Sequence, residues 1–317
     1  MILCYHGISL VDEHLWRPAL YLEPSQLEQR LEFLREGGYH VLDLGVALKL
    51  LRVGELPPRS VAITFDDGTY DFLRLAYPLL KRFGFPATVY QTTYYSDRQV
   101  PVFSLMCSYL LWKGRDRAMD KGSELGLKPP LDLTSEAKRQ AIVETLVDNC
   151  NRDGIDVWQR NEVAAKLAHL LDVDYSEILS RRILHLMNPR EIAELAREGV
   201  DFQLHTHRHC MPEDELIFRK EIRDNRESLA KSFTEQSVHF CYPSGVHSPV
   251  FLPWLAEENV ISATTCDVGL AGPSANPLLL PRMVDTSSRT ILEFEGWLTG
   301  VADFLAVHRA AAQHYDE

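Results

Sequence analysis

The sequence predicts an α/β fold of repeated strand–helix units closed into a barrel, and three observations carry that expectation. Short apolar runs alternate with amphipathic helical patterns along most of the chain, as in a parallel sheet covered by helices. The alternation lapses once, from about 97 to 185, where strand signals nearly vanish and helical periodicity takes over. Polar residues fall at the C-terminal ends of successive predicted strands: His6, Asp66-Asp67, Thr92-Thr93, His205, Tyr242-Pro243 and Asp267. Many strand ends converging on one place favours a barrel over a doubly wound sheet, which gathers ligands at a switch point.

Each element has its own signal. Ile2 to Tyr5 reads as the first strand. Pro24 to Glu36 follows as an amphipathic helix, with Pro24 in its first turn and Gly37-Gly38 closing it. Ser60 to Phe65 is a β-rich run ending in Asp66-Asp67-Gly68. Asp71 to Phe83 is helical and stops at Gly84, before a strand over Ala87 to Tyr90. Within the break, Ser135 to Cys150 and Asn161 to Leu171 carry helical periodicity, so the stretch reads as a helical insertion in one domain spanning 1–317. Asn188-Pro189 is a cap followed by an N1 proline for a helix ending at Gly199. Strand 202–204, helix 213–233, strand 238–242, helix 250–258 and strand 261–265 complete the alternation.

Composition narrows the function. A chain of 317 residues is ample for one large core, since an α/β barrel uses about 250. A formal charge of −12 argues against a nucleic-acid surface or capture by an anionic membrane. No window is long and apolar enough to span a bilayer. The six cysteines (Cys4, Cys107, Cys150, Cys210, Cys241 and Cys266) show no CxxC pair, which reads as free thiols in a reducing compartment. No signal peptide is visible before the first strand, so the expected location is the cytoplasm, although a trimmed chain would read the same.

Two constellations carry chemistry. In Thr64-Phe65-Asp66-Asp67-Gly68, adjacent carboxylates at a strand end point to opposite sides. One can take a metal while its neighbour faces a substrate water; the bland alternative is an Asp-Gly turn. In His205-Thr206-His207-Arg208-His209, the first and last imidazoles can face one ion if the segment makes a helical turn. Here the bland alternative is a solvated polar loop. Two histidines and one carboxylate leave coordination positions open, as a catalytic metal site does. Non-haem iron oxygenases use the same ligand set, but a spare carboxylate beside the metal is equipment for hydrolysis.

These residues resemble a known family. TFDDG followed by H-[ST]-x-x-H is similar to the polysaccharide deacetylases of the NodB-homology group, carbohydrate esterase family 4. Tyr5-His6, Phe240 to Gly245 and Leu280-Pro281-Arg282 resemble elements of the branch acting on surface polysaccharides. The resemblance covers roughly 1–95 and 186–290 and implies a distorted (β/α)7 barrel that deacetylates an N-acetylated saccharide, polymeric or carrier-linked. It implies Asp66 as catalytic base. Asp67, His205 and His209 would hold one divalent metal, Zn2+ first, with Co2+, Ni2+ or Fe2+ as substitutes. Thr206 would stabilise the histidine loop, and Tyr242, Pro243 and Ser244 would line the substrate and oxyanion site, the N–H of Ser244 stabilising the oxyanion.

The chain also departs from the family pattern. Cys241-Tyr242 stand where many members carry an arginine that orients the base, and neither the Asp-Trp motif nor the late Leu-x-His is recognisable. His6 becomes the first candidate for the missing general acid, and Asp66, protonated after the attack and so serving as both base and acid, the second; Arg282, Asp267 and His247 are further residues that could fill the gaps. Arg282 has two candidate roles, pairing with Asp66 or gripping an anionic substrate, against the commoner case of a surface arginine, and Cys210 is expected to be a buried thiol. A saccharide-binding relative with weakened catalysis, or an iron oxygenase, is the rival reading, and a homo-oligomer is compatible with either.

Overall fold

The structure, a computed structural model, describes residues 1–116 and 119–301. Seven parallel strands form the barrel wall: β1 (Ile2–Tyr5), β2 (Ser60–Phe65), β3 (Thr88–Gln91), β4 (Asp201–Leu204), β5 (His239–Cys241), β6 (Ser262–Thr264) and β7 (Met283–Val284). They neighbour one another in chain order, and β7 returns to β1 by pairing Met283 with Leu3. A narrow bridge joins β6 to the approach of β7: the Leu280 N–H donates to Ala263 O and its carbonyl accepts from Thr265, both at 2.9 Å. The barrel is therefore distorted, with one thin seam. That seam is where sequence gave no strand, because two residues are too few to show a period.

Strand alternation sorts the side chains. Ile2, Ala62, Tyr90, Cys241 and Leu280 gather inside the barrel. Leu3, Ile63, Val89, Phe202 and Phe240 face outward against helical residues such as Leu31 and Phe218. Burial on both faces explains why the strands read as continuous apolar runs.

The helices follow their caps. Pro24–Glu36 has the expected N1 proline and a Glu23–Gln26 capping box, and Pro189–Arg197 is capped by Asn188 with Glu191. After β2 the helix is π-helical over Phe72–Ala76 before Tyr77–Phe83. Pro78 has no N–H to offer the Arg74 carbonyl, so a wider turn there is the natural accommodation. Leu44–Val53, capped by Asp43 and closed by Gly54 at φ 75°, was not expected.

The insertion holds helices Phe103–Lys113, Glu136–Arg152, Val157–Leu170 and Tyr175–Ser180. Met106, Leu110, Leu146, Leu167 and Ile178 form its apolar centre. Phe103–Lys113 escaped the periodicity search because it is buried nearly all round and has no polar stripe. The insertion rests against the segment that follows β1: the Tyr109 hydroxyl donates to Asp12, Lys113 Nζ lies 2.6 Å from Asp12 Oδ2, and the Trp16 and Tyr109 rings meet edge-on at 5.3 Å. Its exit runs beside the Asp66-Asp67 loop, where Met187 N donates to Gly68 O at 2.9 Å. Among the described residues no helix is long and apolar enough to cross a membrane. His308 and His314, which have no motif context in the sequence and are expected to be surface or structural, lie outside the described residues.

Candidate functional site

The C-terminal ends of β1, β2, β4 and β5 bring the predicted residues together. Asp67 stands just past the end of β2 with φ 66°, so its side chain leaves the strand's alternation. Its Oδ1 lies 3.3 Å from His205 Nε2 and 3.3 Å from His209 Nε2. Asp67 Oδ1 is buried without a hydrogen-bond partner among the described residues. Such an orphaned acceptor facing two imidazole nitrogens is costly unless something else satisfies it. Donors bound at about 2.0–2.1 Å to a tetrahedral cation stand roughly 3.3 Å apart, so the three residues fit a zinc-type ion. Burial would raise the Asp67 carboxyl, but His209 and His205 overcome it and hold the group well below the usual range.

The loop reaches this geometry by an unexpected route. His205 to His209 is not a helical turn; Thr206 and His209 have φ 58° and 54°, and the bent chain swings both rings inward. Thr206 Oγ1 accepts from Cys210 N at 3.1 Å, which pins the bend. His207 points away, its Nδ1 2.8 Å from Thr93 Oγ1. His205 Nδ1 bonds the Cys241 carbonyl at 2.9 Å, directing Nε2 at Asp67.

Three supports went unread in the sequence. Asn225, on helix Glu215–Leu229, accepts from His205 N at 2.9 Å and donates to Gln91 O at 2.9 Å and Thr93 Oγ1 at 3.0 Å. Buried Glu221 on the same helix accepts from Arg208 N and Nη1 at 2.7 and 2.5 Å. Their signal was faint: polar residues on the apolar stripe of an amphipathic helix. The third is Asp71, whose Oδ1 accepts from Ile8 N at 2.7 Å and from Thr69 Oγ1 at 3.0 Å.

Asp66 faces the barrel interior, 2% exposed. Arg282 grips it in a fork, Nη1 to Oδ1 and Nη2 to Oδ2, both 2.7 Å. Cys241 and Cys4 add thiol contacts to Oδ2 at 3.3 and 3.5 Å; burial pushes both thiols up, so they remain protonated donors. Burial would likewise raise Asp66, but the charge and hydrogen bonds of Arg282 outweigh it and hold the carboxylate ionised. The guanidinium missing before Pro243 thus comes from the approach to β7 instead. His6 Nε2 lies 3.8 Å from Asp66 Oδ2, and burial lowers its imidazole from the ordinary histidine value.

Several expectations need correction. Arg282 is fully buried and committed to Asp66, so it cannot grip a substrate. Tyr242 is also fully buried, its hydroxyl donating to Leu278 O at 3.0 Å, and Pro243 is buried beneath the turn. Neither side chain can meet a saccharide in this structure. Ser244 does reach the surface, on a turn with φ 54°. Cys210 is exposed, not buried. His247 and Asp267 pair at the rim, 3.3 Å apart.

Comparison with known proteins finds a likeness of family over part of the chain and of fold over most of it. The family described as polysaccharide deacetylase matches residues 53–129. YxkH of Bacillus subtilis (strain 168), a polysaccharide deacetylase by assignment only, is 34% identical over 90 residues, 28% of this chain and 30% of its own length. The poly-beta-1,6-N-acetyl-D-glucosamine N-deacetylase of Escherichia coli (strain K12) is 31% identical over 84 residues, 26% of this chain and 12% of that enzyme. Each match therefore spans under a third of the relative. Solved structures extend the likeness in fold alone. The Streptococcus pyogenes deacetylase PplD, in complex with acetate, aligns with TM-score 0.61 at 19% identity, covering 94% of this chain and 96% of that one. IcaB from Ammonifex degensii aligns with TM-score 0.59 at 16% identity, with the same coverage.

Proposed function

We propose, on the premise that this chain belongs to the polysaccharide deacetylases of the NodB-homology type, that it hydrolyses the acetamide of an N-acetylated saccharide for a bacterial surface polysaccharide. The observation carrying this reading is the three-donor cluster of Asp67, His205 and His209 set against the buried Asp66–Arg282 pair and His6. Asp67, His205 and His209 would hold one divalent metal, zinc first. When bound, that ion would supply Lewis-acid chemistry, which Co2+, Ni2+ or Fe2+ can also provide.

The chain's own residues do the rest. Asp66, kept ionised by Arg282, accepts a proton from the attacking water as the water oxygen joins the acetyl carbon. The N–H of Ser244 donates to the oxyanion that forms. As the C–N bond breaks, the amine takes a proton, since an amide anion is a very poor leaving group. In this reading His6, 3.8 Å from Asp66, takes over the proton that Asp66 received from the water and passes it to the amine, which returns both groups to their starting states. The products are acetate and a free amino sugar.

We place the reaction in a reducing compartment, on a carrier-linked precursor, because Cys4, Cys107, Cys150 and Cys241 are buried thiols. Native disulfides would reverse that placement. The deciding experiment incubates the metal-supplemented protein with N-acetylhexosamine oligomers and measures acetate and free amine. Equal yields of both, abolished by a chelator, are expected. Saccharide binding with no acetate would identify a binding relative instead, and iron-dependent oxygen uptake an oxygenase.

A further inference from the structure

Of the histidines at the strand ends, His6 is held in a way of its own. The rings of His205 and His207 are fixed through Nδ1, by Cys241 O at 2.9 Å and Thr93 Oγ1 at 2.8 Å. His6 Nδ1 is buried with no hydrogen-bond partner among the described residues, and its Nε2 is too far from Asp66 for a hydrogen bond. The backbone on either side must therefore aim the ring. Upstream, β1 is locked into the barrel by the Asp66 N–H bond to Tyr5 O at 2.9 Å. Downstream, Gly7 and Ser9 donate to Leu20 O and Leu22 O at 3.0 and 2.8 Å, bonds that run away from the site.

The remaining bond runs toward it. Ile8 N donates to Asp71 Oδ1 at 2.7 Å, and the same oxygen accepts from Thr69 Oγ1 at 3.0 Å. Asp71 lies four residues after Asp67, on a segment tied to the insertion's exit by the Tyr70 N–H bond to His185 O at 2.8 Å. One buried carboxylate thus joins the turn leaving His6 to the loop leaving Asp67. Its surroundings make this an expensive device: Asp71 is 5% exposed, beside the buried Glu13, and no ion pair to it occurs among the described residues. A neutral side chain would be the cheaper filler if packing were its task.

We propose that Asp71 is a positioning residue that aims His6 at the leaving amine. This rests on His6 acting as the general acid. The test is a double-mutant cycle of Asp71→Ala and His6→Ala, reading kcat and KM for acetate release and metal per chain. Asp71→Ala should lower kcat at least about tenfold, with KM and metal nearly unchanged. In the His6→Ala background it should cost no more than about twofold, because the residue it aims is gone. The same loss in both backgrounds, or none in the wild type, overturns the proposal. Full activity of His6→Ala alone overturns the reading beneath it instead.

A second readout needs no substrate. In the imidazole 1H–15N spectrum, Asp71→Leu, which fills the space but cannot accept from Ile8 N, should shift the His6 ring and leave His207 in place. Should Asp71→Ala fail to fold, this variant of similar size decides the matter, and an unmoved His6 signal refutes the proposal.

Discussion

On the side of the site proposed to hold a metal, His205 is tied at its ring by Cys241 O and at its backbone by Asn225; on the side proposed to carry the proton, His6 Nδ1 has no hydrogen-bond partner among the described residues, and the ring depends on the backbone around it. The difference follows from chemistry. A ligand nitrogen must present one lone pair in one direction, so a hydrogen bond to the opposite ring nitrogen helps. A general acid must take up and release a proton, and a ring left without strong partners can do both. The carboxylates divide likewise: Asp67 keeps an open oxygen toward the histidines, whereas Asp66 has both oxygens closed in by Arg282.

The largest effect should come from breaking the ligand side. Asp67→Ala or His209→Ala should abolish most metal binding, read by elemental analysis, and should reduce acetate release by at least about 10²–10⁴-fold. Full metal occupancy after His209→Ala would move the ligand role elsewhere, first to the adjacent, exposed Cys210.

Breaking the proton side should leave metal content alone and separate rate from stability. Asp66→Asn keeps the shape but cannot act as a base, so turnover should fall by about 10²–10⁴-fold. Arg282→Met leaves a buried carboxylate without its partner and should destabilise the fold by about 3–5 kcal/mol, read by denaturant titration. Normal turnover by metal-loaded Asp66→Asn would remove that residue from the mechanism. An unchanged midpoint for Arg282→Met would show that water reaches the Asp66 pocket.

What the sequence revealed depended on whether the signal was local. The strand-end placement of His6, Asp66, Asp67 and His205 was legible because a barrel aims all such ends at one face. The fork of Arg282 on Asp66 joins residues over 200 positions apart, and no local pattern distinguishes the pairing expected of it from a substrate grip. The loop geometry was misjudged for a related reason. Spacing of four suggested a helical turn, but positive φ at Thr206 and His209 brings the rings together, and neither residue type advertises that conformation. Tyr242 and Cys210 show the same limit for burial. The residue type set the expectation, and packing from distant segments decided the outcome.

The smallest effect, and the sharpest test of how the two sides are joined, concerns Asp71. Burial first, then the neighbouring Glu13, overcome its hydrogen bonds and raise its carboxyl to about 7, against 3.8 for an ordinary aspartate. A raised carboxyl binds its proton more tightly when folded than when unfolded. Its stabilising contribution is therefore fully present below about pH 4 and is lost as pH rises to about 7. Asparagine cannot ionise, so Asp71→Asn should gain stability relative to the wild type by about 2–3 kcal/mol between pH 5 and pH 8. Only the change with pH matters, since any fixed penalty from altered hydrogen bonds is the same at both ends. The measurement is the difference in unfolding free energy between the two proteins at each pH. A constant difference would mean that Asp71 titrates as an ordinary aspartate, and its carboxylate would then be an inexpensive tie. A rising difference would show a carboxylate whose charge weakens the fold at the point where it ties the turn leaving His6 to the loop leaving Asp67.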